Sequence, residues 1–352
     1  MNKSRMPTLA DVGRVAGVSR GTVSNVFNHP DIVRPDVRER VRAAARELGY
    51  DGPDVRGKVL REGKFNALGF VPPGAYSISE FVRSPYGREL ILGAALACDE
   101  ARATLSLVNG TADSRASAIR EALVDGFLLG QSLDIDLITS AQRRRLPFVI
   151  MDSEAGPEIS SVRVDGRAGA LMAIRHLAEL GHRKFAILSV QRTFGPPIVH
   201  LPGENRRGHT TSRSQFDLER LEGYAQGLRE IGVSIDDIPI VETMPGDATA
   251  GGAVLDRAPD ATAIVTMSDW QAITLLDEAR RRGIDVPRRL SIVGFDGTQE
   301  AARATPPLTT VAHDIVGKAR LAARMVFENG PPRQVLLPAT LEIRSTTAPP
   351  CR

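Results

Sequence analysis

A chain of 352 residues with 42% hydrophobic and 25% charged side chains has the composition of an ordinary globular protein and the length for two or three domains with sizeable cores. Two cysteines, Cys98 and Cys351, speak against a disulfide framework and a cysteine-based zinc site, and the opening MNKSRMP lacks the apolar stretch of a targeting leader. No apolar run is long enough to span a bilayer, so a cytoplasmic location and no membrane partner are expected. The net charge of +3 is unevenly spread: residues 1–64 carry 13 Lys/Arg against 8 Asp/Glu, the rest 32 against 34. Positive charge is thus concentrated at the amino end, as counterion-release binding to phosphates requires.

The first elements fall in that basic segment. Thr8 followed by Asp11 is a capping-box start, and Leu9, Val12, Val15 and Ala16 recur at helical spacing. Gly17 permits a sharp turn, Val18 can be buried in the angle, and Ser19 can cap a second helix with Val23, Val26 and Phe27 facing inward. The opposite face is left to Arg20, Gly21, Thr22, Ser24 and Asn25. This is a helix-turn-helix with a recognition helix of major-groove chemistry, and the expectation is binding to double-stranded DNA. A third helix starts at Pro35 and turns Val37, Val41, Ala44, Ala45 and Leu48 inward. Gly52-Pro53 then interrupts the pattern, and Asp54 can cap a short helix containing Val55, Val59 and Leu60 within a linker, residues 51–64.

From Asn66 onward short apolar runs alternate with helical patterns. Strands are expected at Ala67–Val71, Thr104–Val108, Gly126–Leu129 and Pro147–Met151, then near Phe185–Leu188, Ile264–Thr266 and Ile292–Gly294. The helices between them include Arg88–Ala101, Ala168–Leu180, Arg220–Ile231 and Asp269–Arg282. Such alternation implies α/β units with parallel sheets, and two of them would carry a ligand cleft at the carboxyl ends of their strands. Asp152 and Asp269 stand just past strand ends, where a carboxylate can accept from ligand hydroxyls or merely cap a helix. Gln191 to Glu219 is a long Gly-, Pro-, Arg- and His-rich connection, either a lid over the cleft or a surface insertion. His200 and His209 have no third ligand spaced to complete a metal site. No phosphate loop, dinucleotide fingerprint or nucleophile elbow is present in the sequence, so neither enzymatic activity nor a cofactor is expected.

Nine stretches in order carry a resemblance: TLADVGRVAGVSRGTVSNVFN (8–28), RERVRAAARELGY (38–50), VDGFLLG (124–130), VRVDGRAGA (162–170), HLAELGHRKFAILS (176–189), RLEGYAQGL (220–228), VPRRLSIVGFDG (286–297), PPLTTV (306–311) and STTAPP (345–350). Through them the chain resembles a LacI-family transcriptional regulator along nearly its whole length. The resemblance implies a multidomain protein: an all-α helix-turn-helix domain (1–50), a hinge helix and linker (51–64), and an effector-binding core (65–345) like periplasmic binding proteins. That core would comprise two Rossmann-like subdomains, 65–163 with 298–328 and 164–297 with 329–345, the chain crossing near Val164, Gly297 and Glu328. Residues 346–352 are expected to be a tail.

The same resemblance implies site residues. Arg20, Gly21 and Asn25 would face base edges; arginine suits guanine and asparagine suits adenine. Thr8, Ser19, Thr22, Ser24 and Asn28 would meet phosphates. Lys58 and Leu60 match the hinge residues that enter the minor groove, where a leucine wedge bends the duplex. In the cleft, Tyr86 falls at an aromatic stacking position, and Arg220 in R-x-x-G-aromatic at the ligand-binding arginine. Asp152, Asp269 and Asp296 would supply polar acceptors for a sugar or related metabolite. A homodimer acting as a repressor is implied, since the ending STTAPPCR carries no heptads for a tetramer.

Overall fold

In a computed structural model the chain divides into two units, Met1–Phe65 and Asn66–Arg352. The structure describes residues 6–52, 63–73, 76–109, 115–130, 135–153, 156–191, 195–203 and 215–351. Most of the expected hinge, including Lys58 and Leu60, lies outside the described residues, as does His209.

The first unit is built from α1 (Leu9–Ala16), α2 (Arg20–Asn28) and α3 (Pro35–Leu48). Thr8 and Asp11 close the capping box: the Thr8 hydroxyl accepts from the Asp11 amide, and Asp11 Oδ2 accepts from the Thr8 amide at 3.0 Å. Gly17, at φ 65°, ends α1 in the left-handed region that side chains disfavour. Two residues on, Ser19 accepts from the Thr22 amide at 3.1 Å and starts α2. Val12, Val23, Val26, Val41 and Ala44 fill the space among the helices, and Phe27 meets Tyr50 edge-on at 5.7 Å. Val15, inward by its spacing, is instead 45% exposed, because Val12 and Ala16 already form the buried stripe.

The second unit contains two sheets. The first comprises β1 (Ala67–Val71), β2 (Thr104–Leu107), β3 (Gly126–Leu129), β4 (Phe148–Met151), β5 (Ser161–Val164) and β12 (Gln334–Leu337), ordered β12-β5-β4-β3-β1-β2 and parallel throughout. The second comprises β6 (Phe185–Val190), β7 (Ile198–His200), β8 (Ile240–Thr243), β9 (Ala263–Thr266), β10 (Ser291–Asp296), β11 (Thr309–Ala312) and β13 (Thr340–Glu342), ordered β13-β11-β10-β9-β6-β8-β7. Its edge strands β7 and β13 pair antiparallel to their neighbours. Strands β1, β3, β6, β8, β9 and β10 are buried at every position, as they must be when helices cover both faces. Both sheets share one doubly wound strand order, β2-β1-β3-β4-β5 and β8-β6-β9-β10-β11, so each has a topological switch point at which a ligand crevice forms.

The chain changes sheets three times, and two of these crossings differ from expectation. The first follows Val164. The second is not at Gly297, because β11 pairs with β10 through Val293–Thr309 to Asp296–Ala312; the chain leaves that sheet only after Ala312. The third is not at Glu328, because β12 still pairs with β5; it falls between Leu337 and Thr340. Residues 298–312 therefore belong to the second subdomain and 329–337 to the first. Between the last two crossings runs α13 (Ile315–Glu328), packed on α5 (Pro85–Ala101) through Ala319, Ala322, Leu90 and Ala94.

Residues beyond 345 are stitched to the core rather than forming a tail. Thr346 Oγ1 donates to the Ile292 carbonyl at 2.7 Å and accepts from the Thr309 amide at 2.9 Å. His182, buried, holds the next turn: Nε2 donates to the Ala348 carbonyl at 2.9 Å, and Nδ1 lies 2.9 Å from Thr262 Oγ1. Among the described residues no helix is long and apolar enough to cross a membrane.

Burial holds His182 below its ordinary 6.5, so the folded chain resists its protonation. Its favourable contribution is complete above 6.5 and is lost as pH falls below that value. His182→Gln is expected to cost about 1–3 kcal/mol at pH 7.5, from the broken buried network. Urea unfolding of both proteins should show that this cost shrinks towards pH 5; a cost that grows with acidity contradicts the assignment.

Candidate functional site

Two sites emerge, one in each unit. On the head, α2 presents Gly21, Asn25 and Asn28 along one stripe at i, i+4 and i+7, with Arg20 and Ser24 beside it. Several side chains on this face are already engaged within the protein. Ser19 caps the helix and lies 2.9 Å from Thr22 Oγ1, Thr8 is held by Asp11, and Asn28 Nδ2 donates to Ser24 Oγ at 3.1 Å. Arg20 and Asn25 have no side-chain hydrogen bond within the described residues. Among the residues expected to read bases, these two keep their recognition atoms available.

In the core, a cavity of about 80 Å³ opens where the carboxyl ends of the central strands of both sheets converge. The first subdomain contributes Pro73, Tyr76, Phe81, Ser84, Pro85 and Tyr86; the second contributes Val190, Phe216, Arg220, Pro245, Met267, Ser268, Trp270, Asp296 and Thr298. Of the five expected cleft residues, Tyr86, Arg220 and Asp296 line it, whereas Asp152 and Asp269 do not.

Arg220 is placed by α9 (Gln215–Glu230), which lies close against α8 (Gly166–Glu179) because a Cβ at Gly223 would overlap the Arg167 carbonyl. Its guanidinium is 1% exposed and lies between the rings of Phe216, 3.6 Å from the centroid, and Phe295, 3.4 Å away. It donates to the Met267 carbonyl and, at 3.3 Å, to Asp296 Oδ1, while its buried Nε has no partner. Asp296 holds φ 122°, a conformation that costs a side-chain-bearing residue about 1–3 kcal/mol. A carboxyl kept where glycine would be at ease is a mark of function. Burial pushes Asp296 up to about 8; Arg220 pulls it down, and the nearby Asp269 adds to the rise.

Asp269 has a different task from the one expected of it. It opens α11 (Asp269–Arg281), fully buried, and its carboxylate accepts from the Thr298 amide at 2.7 Å, from Thr298 Oγ1 at 3.0 Å and from Thr310 Oγ1. It clamps the loop after β10 to β11, so its oxygens are not offered to a ligand. Asp152 is likewise occupied: Lys318 Nζ donates to Oδ1 at 2.8 Å and Oδ2 at 2.7 Å, and Tyr86 donates to Oδ2 at 2.6 Å. Lys318, 0% exposed, also donates to the Tyr86 oxygen and approaches His313 Nε2 at 3.4 Å. His313 Nδ1 in turn donates to the Asp296 carbonyl at 3.0 Å. Burial alone would raise Asp152; the Lys318 ammonium outweighs it and holds the carboxyl below the usual range. Burial, with Lys318 beside it, keeps His313 well below its ordinary value, so the ring is neutral and its tautomer fixed.

Sequence reasoning missed Phe216, Phe295, His313 and Lys318. Phe216 stands four residues before Arg220 on the same helix face, a spacing that could have revealed it. It lies at the end of the long 191–219 connection, of which the described part also contributes β7, where His200 meets Glu242 at 3.0 Å. Lys318 is 166 positions from its carboxylate partner and gave no local signal.

The sequence of the head matches the model for bacterial regulatory proteins of the lacI family over residues 8–52, and that of the core matches a periplasmic binding protein-like domain over 174–347. An HTH-type transcriptional regulator of Mycobacterium tuberculosis is 34% identical across 94% of this chain and 93% of its own length. The chain belongs to the lacI family of bacterial regulatory proteins. As a lacI-family protein it is a transcriptional regulator and not an enzyme. The structure of a CelR–cellobiose complex, 26% identical, superposes over 97% of this chain and 99% of its own with a TM-score of 0.67. A lac repressor dimer bound to operator and the anti-inducer ONPF shares the lacI-family fold: TM-score 0.77 at 23% identity, covering 98% and 100% of the two chains.

Removing one partner of the Lys318–Asp152 pair leaves a buried charge alone. Lys318→Met is expected to lower the stability of the core by about 3–5 kcal/mol. Adding Asp152→Asn to it should recover part of that loss in denaturant unfolding. A double variant as unstable as the sum of the singles contradicts the pairing.

Proposed function

We propose that this regulator is a repressor that binds a pseudo-palindromic operator as a homodimer, its affinity governed by a hydroxylated metabolite, a sugar or sugar derivative, in the core cleft. One observation carries the reading: Arg220, a buried cation at the cleft wall, keeps Nε unpartnered while Nη2 donates to Asp296. A buried donor without an acceptor is costly, and a ligand oxygen relieves it. Among similar proteins, a CelR–cellobiose complex and a lac repressor dimer bound to operator support the same reading.

A cavity of about 80 Å³ is well below the ~300–1,000 Å³ of small-molecule sites. Entry of a sugar-sized effector must therefore part walls that belong to different subdomains. That motion is the coupling: the ligand biases the relative orientation of the subdomains, and operator affinity follows. In this reading Tyr86, Arg220 and Asp296 contact the effector, while Asp152 and Asp269 hold the walls in place. The dimer draws support from α5, which exposes Leu92 and Leu96 one turn apart. Lys58 and Leu60 are assigned to the minor groove, and Thr8, Ser19, Thr22, Ser24 and Asn28 to the backbone. Arg20 and Asn25 read bases, with Gly21 allowing close approach. The protein works in the bacterial cytoplasm, where its DNA is.

Selection of the full chain against random duplex DNA tests this. The expected product is an inverted repeat, and Asn25→Ala should relax preference at one position of each half-site by a factor of about 5–150, the ~1–3 kcal/mol of a bidentate base contact. A single unrepeated site contradicts the dimer, and an Asn25→Ala preference identical to the parent's contradicts the base assignment.

A further inference from the structure

We propose that Arg88 and Glu89 of the first subdomain and Gln299 and Glu300 of the second form a latch. It is an autoinhibitory contact that holds the effector-free core in the orientation described here, and it has to part before an effector enters. The proposal rests on the reading of the core cavity as the effector site.

The latch has two points. Glu89 Oε1 accepts from the Gln299 amide at 2.9 Å, and Arg88 Nη2 donates to Glu300 Oε1. Each side stands on a braced platform. Arg88 and Glu89 lie near the start of α5, which Ser84 caps by accepting from the Gly87 amide at 3.2 Å. A Cβ at Gly87 would overlap the Phe81 carbonyl of α4 (Ile78–Arg83), so the two helices lie flush. The other arm of the Arg88 guanidinium, Nη1, donates to the Arg83 carbonyl at 2.7 Å, which fixes its reach. In the second subdomain, Gln299 and Glu300 open α12 (Gln299–Arg303), which Thr298 caps, and Asp269 holds Thr298 by both amide and hydroxyl. With both platforms braced, a change in the relative position of the subdomains is taken up by the latch bonds.

Its place ties the latch to the cavity. Tyr86, two residues before Arg88, lines the cavity, as do Asp296 and Thr298, just before Gln299. Walls so close along the chain cannot part by the width of a sugar while hydrogen bonds of about 3 Å persist between them. Other polar contacts between the subdomains lie at the crossings. Arg163, which meets Glu219 at 3.1 Å, stands one residue before the first crossing, and His313, bonded to the Asp296 carbonyl, stands on the second. A hinge motion displaces atoms least at such positions. Neither α5 nor α12 is a crossing segment, so the latch is the contact that opening breaks. An exposed ion pair is weak, as it must be if an effector is to overcome it, and the charge-assisted bond to the Gln299 amide reinforces it.

The test is acrylamide quenching of Trp270 in the full chain. Trp270 is the only tryptophan and lines the cavity, so it reports the parting of the walls with no effector present. Acrylamide is uncharged and does not itself respond to a changed charge. Arg88 and Glu300 are 46% and 34% exposed, so their replacement buries no lone charge. Arg88→Glu, Glu300→Arg and Glu89→Ala are each expected to raise the quenching constant about 1.5-fold or more, by shifting the population towards the open form. The double variant Arg88→Glu with Glu300→Arg restores opposite charges and should return the constant to the parent value. A parent-like constant in any single variant, or a double variant as exposed as the worse of its two singles, overturns the latch. Operator affinity of the same variants, without effector, separates the latch from the function it rests on. A shift of about threefold or more, reversed in the double variant, supports both. Greater Trp270 exposure with unchanged operator affinity leaves the latch standing and overturns the coupling of the cleft to DNA binding.

Discussion

A guanidinium that is 1% exposed needs its partners within the protein, and the Arg220 environment supplies most but not all of them. Phe216 and Phe295 cover its two faces, the Met267 carbonyl and Asp296 take protons at its edge, and one nitrogen is left over. These partners come from the end of a long connection, from β10 and from the residue after β9, so the ends of the central strands are drawn to one point. Cation–π contacts of a desolvated guanidinium contribute about 2 kcal/mol or more each, comparable to the strain held at Asp296. The N–H groups left over line the cavity wall and, in the function proposed above, are what a ligand oxygen would meet.

The second organising feature is the partition beneath the cleft. Tyr86, Asp152 and Lys318 lie in the first subdomain, His313 lies on the second crossing, and its ring donates to the backbone of Asp296 in the second subdomain. The residues that touch the cavity are thus bonded to the segment on which the chain passes from one subdomain to the other. Lys318 and His313 also line a second hollow with Asp314 and Leu337, on the segments where the chain crosses. One hydrogen-bonded step thus joins the cavity wall to the crossings.

How much of this could be read from the sequence depended on how local the cause was. The head was legible nearly residue by residue because its caps at Thr8 and Ser19 and its turn at Gly17 act within three or four positions. Central strands such as Ala67–Val71 and Gly126–Leu129 stood out as apolar runs. Strand β11 did not, since Thr309 and Thr310 look like loop residues until Asp269 and the Arg344 amide are seen to bond their hydroxyls. Missing β11 and the half-exposed β12 displaced two of the three crossings. The cleft followed the same rule: Arg220, Asp296 and Tyr86 could be placed by motif, whereas the occupation of Asp152 and Asp269 depends on partners far along the chain.

The central claim is that one buried arginine links small-molecule binding to DNA binding. The most direct measurement is operator affinity, by fluorescence anisotropy, of the parent chain and of Arg220→Met, each titrated with the sugar or sugar derivative that binds the parent best, as the probe. The account predicts that the probe shifts operator affinity at least fivefold in the parent, the lower end of ordinary allosteric coupling, and not at all in the variant. A probe that occupies the parent cleft yet leaves operator affinity unchanged contradicts it.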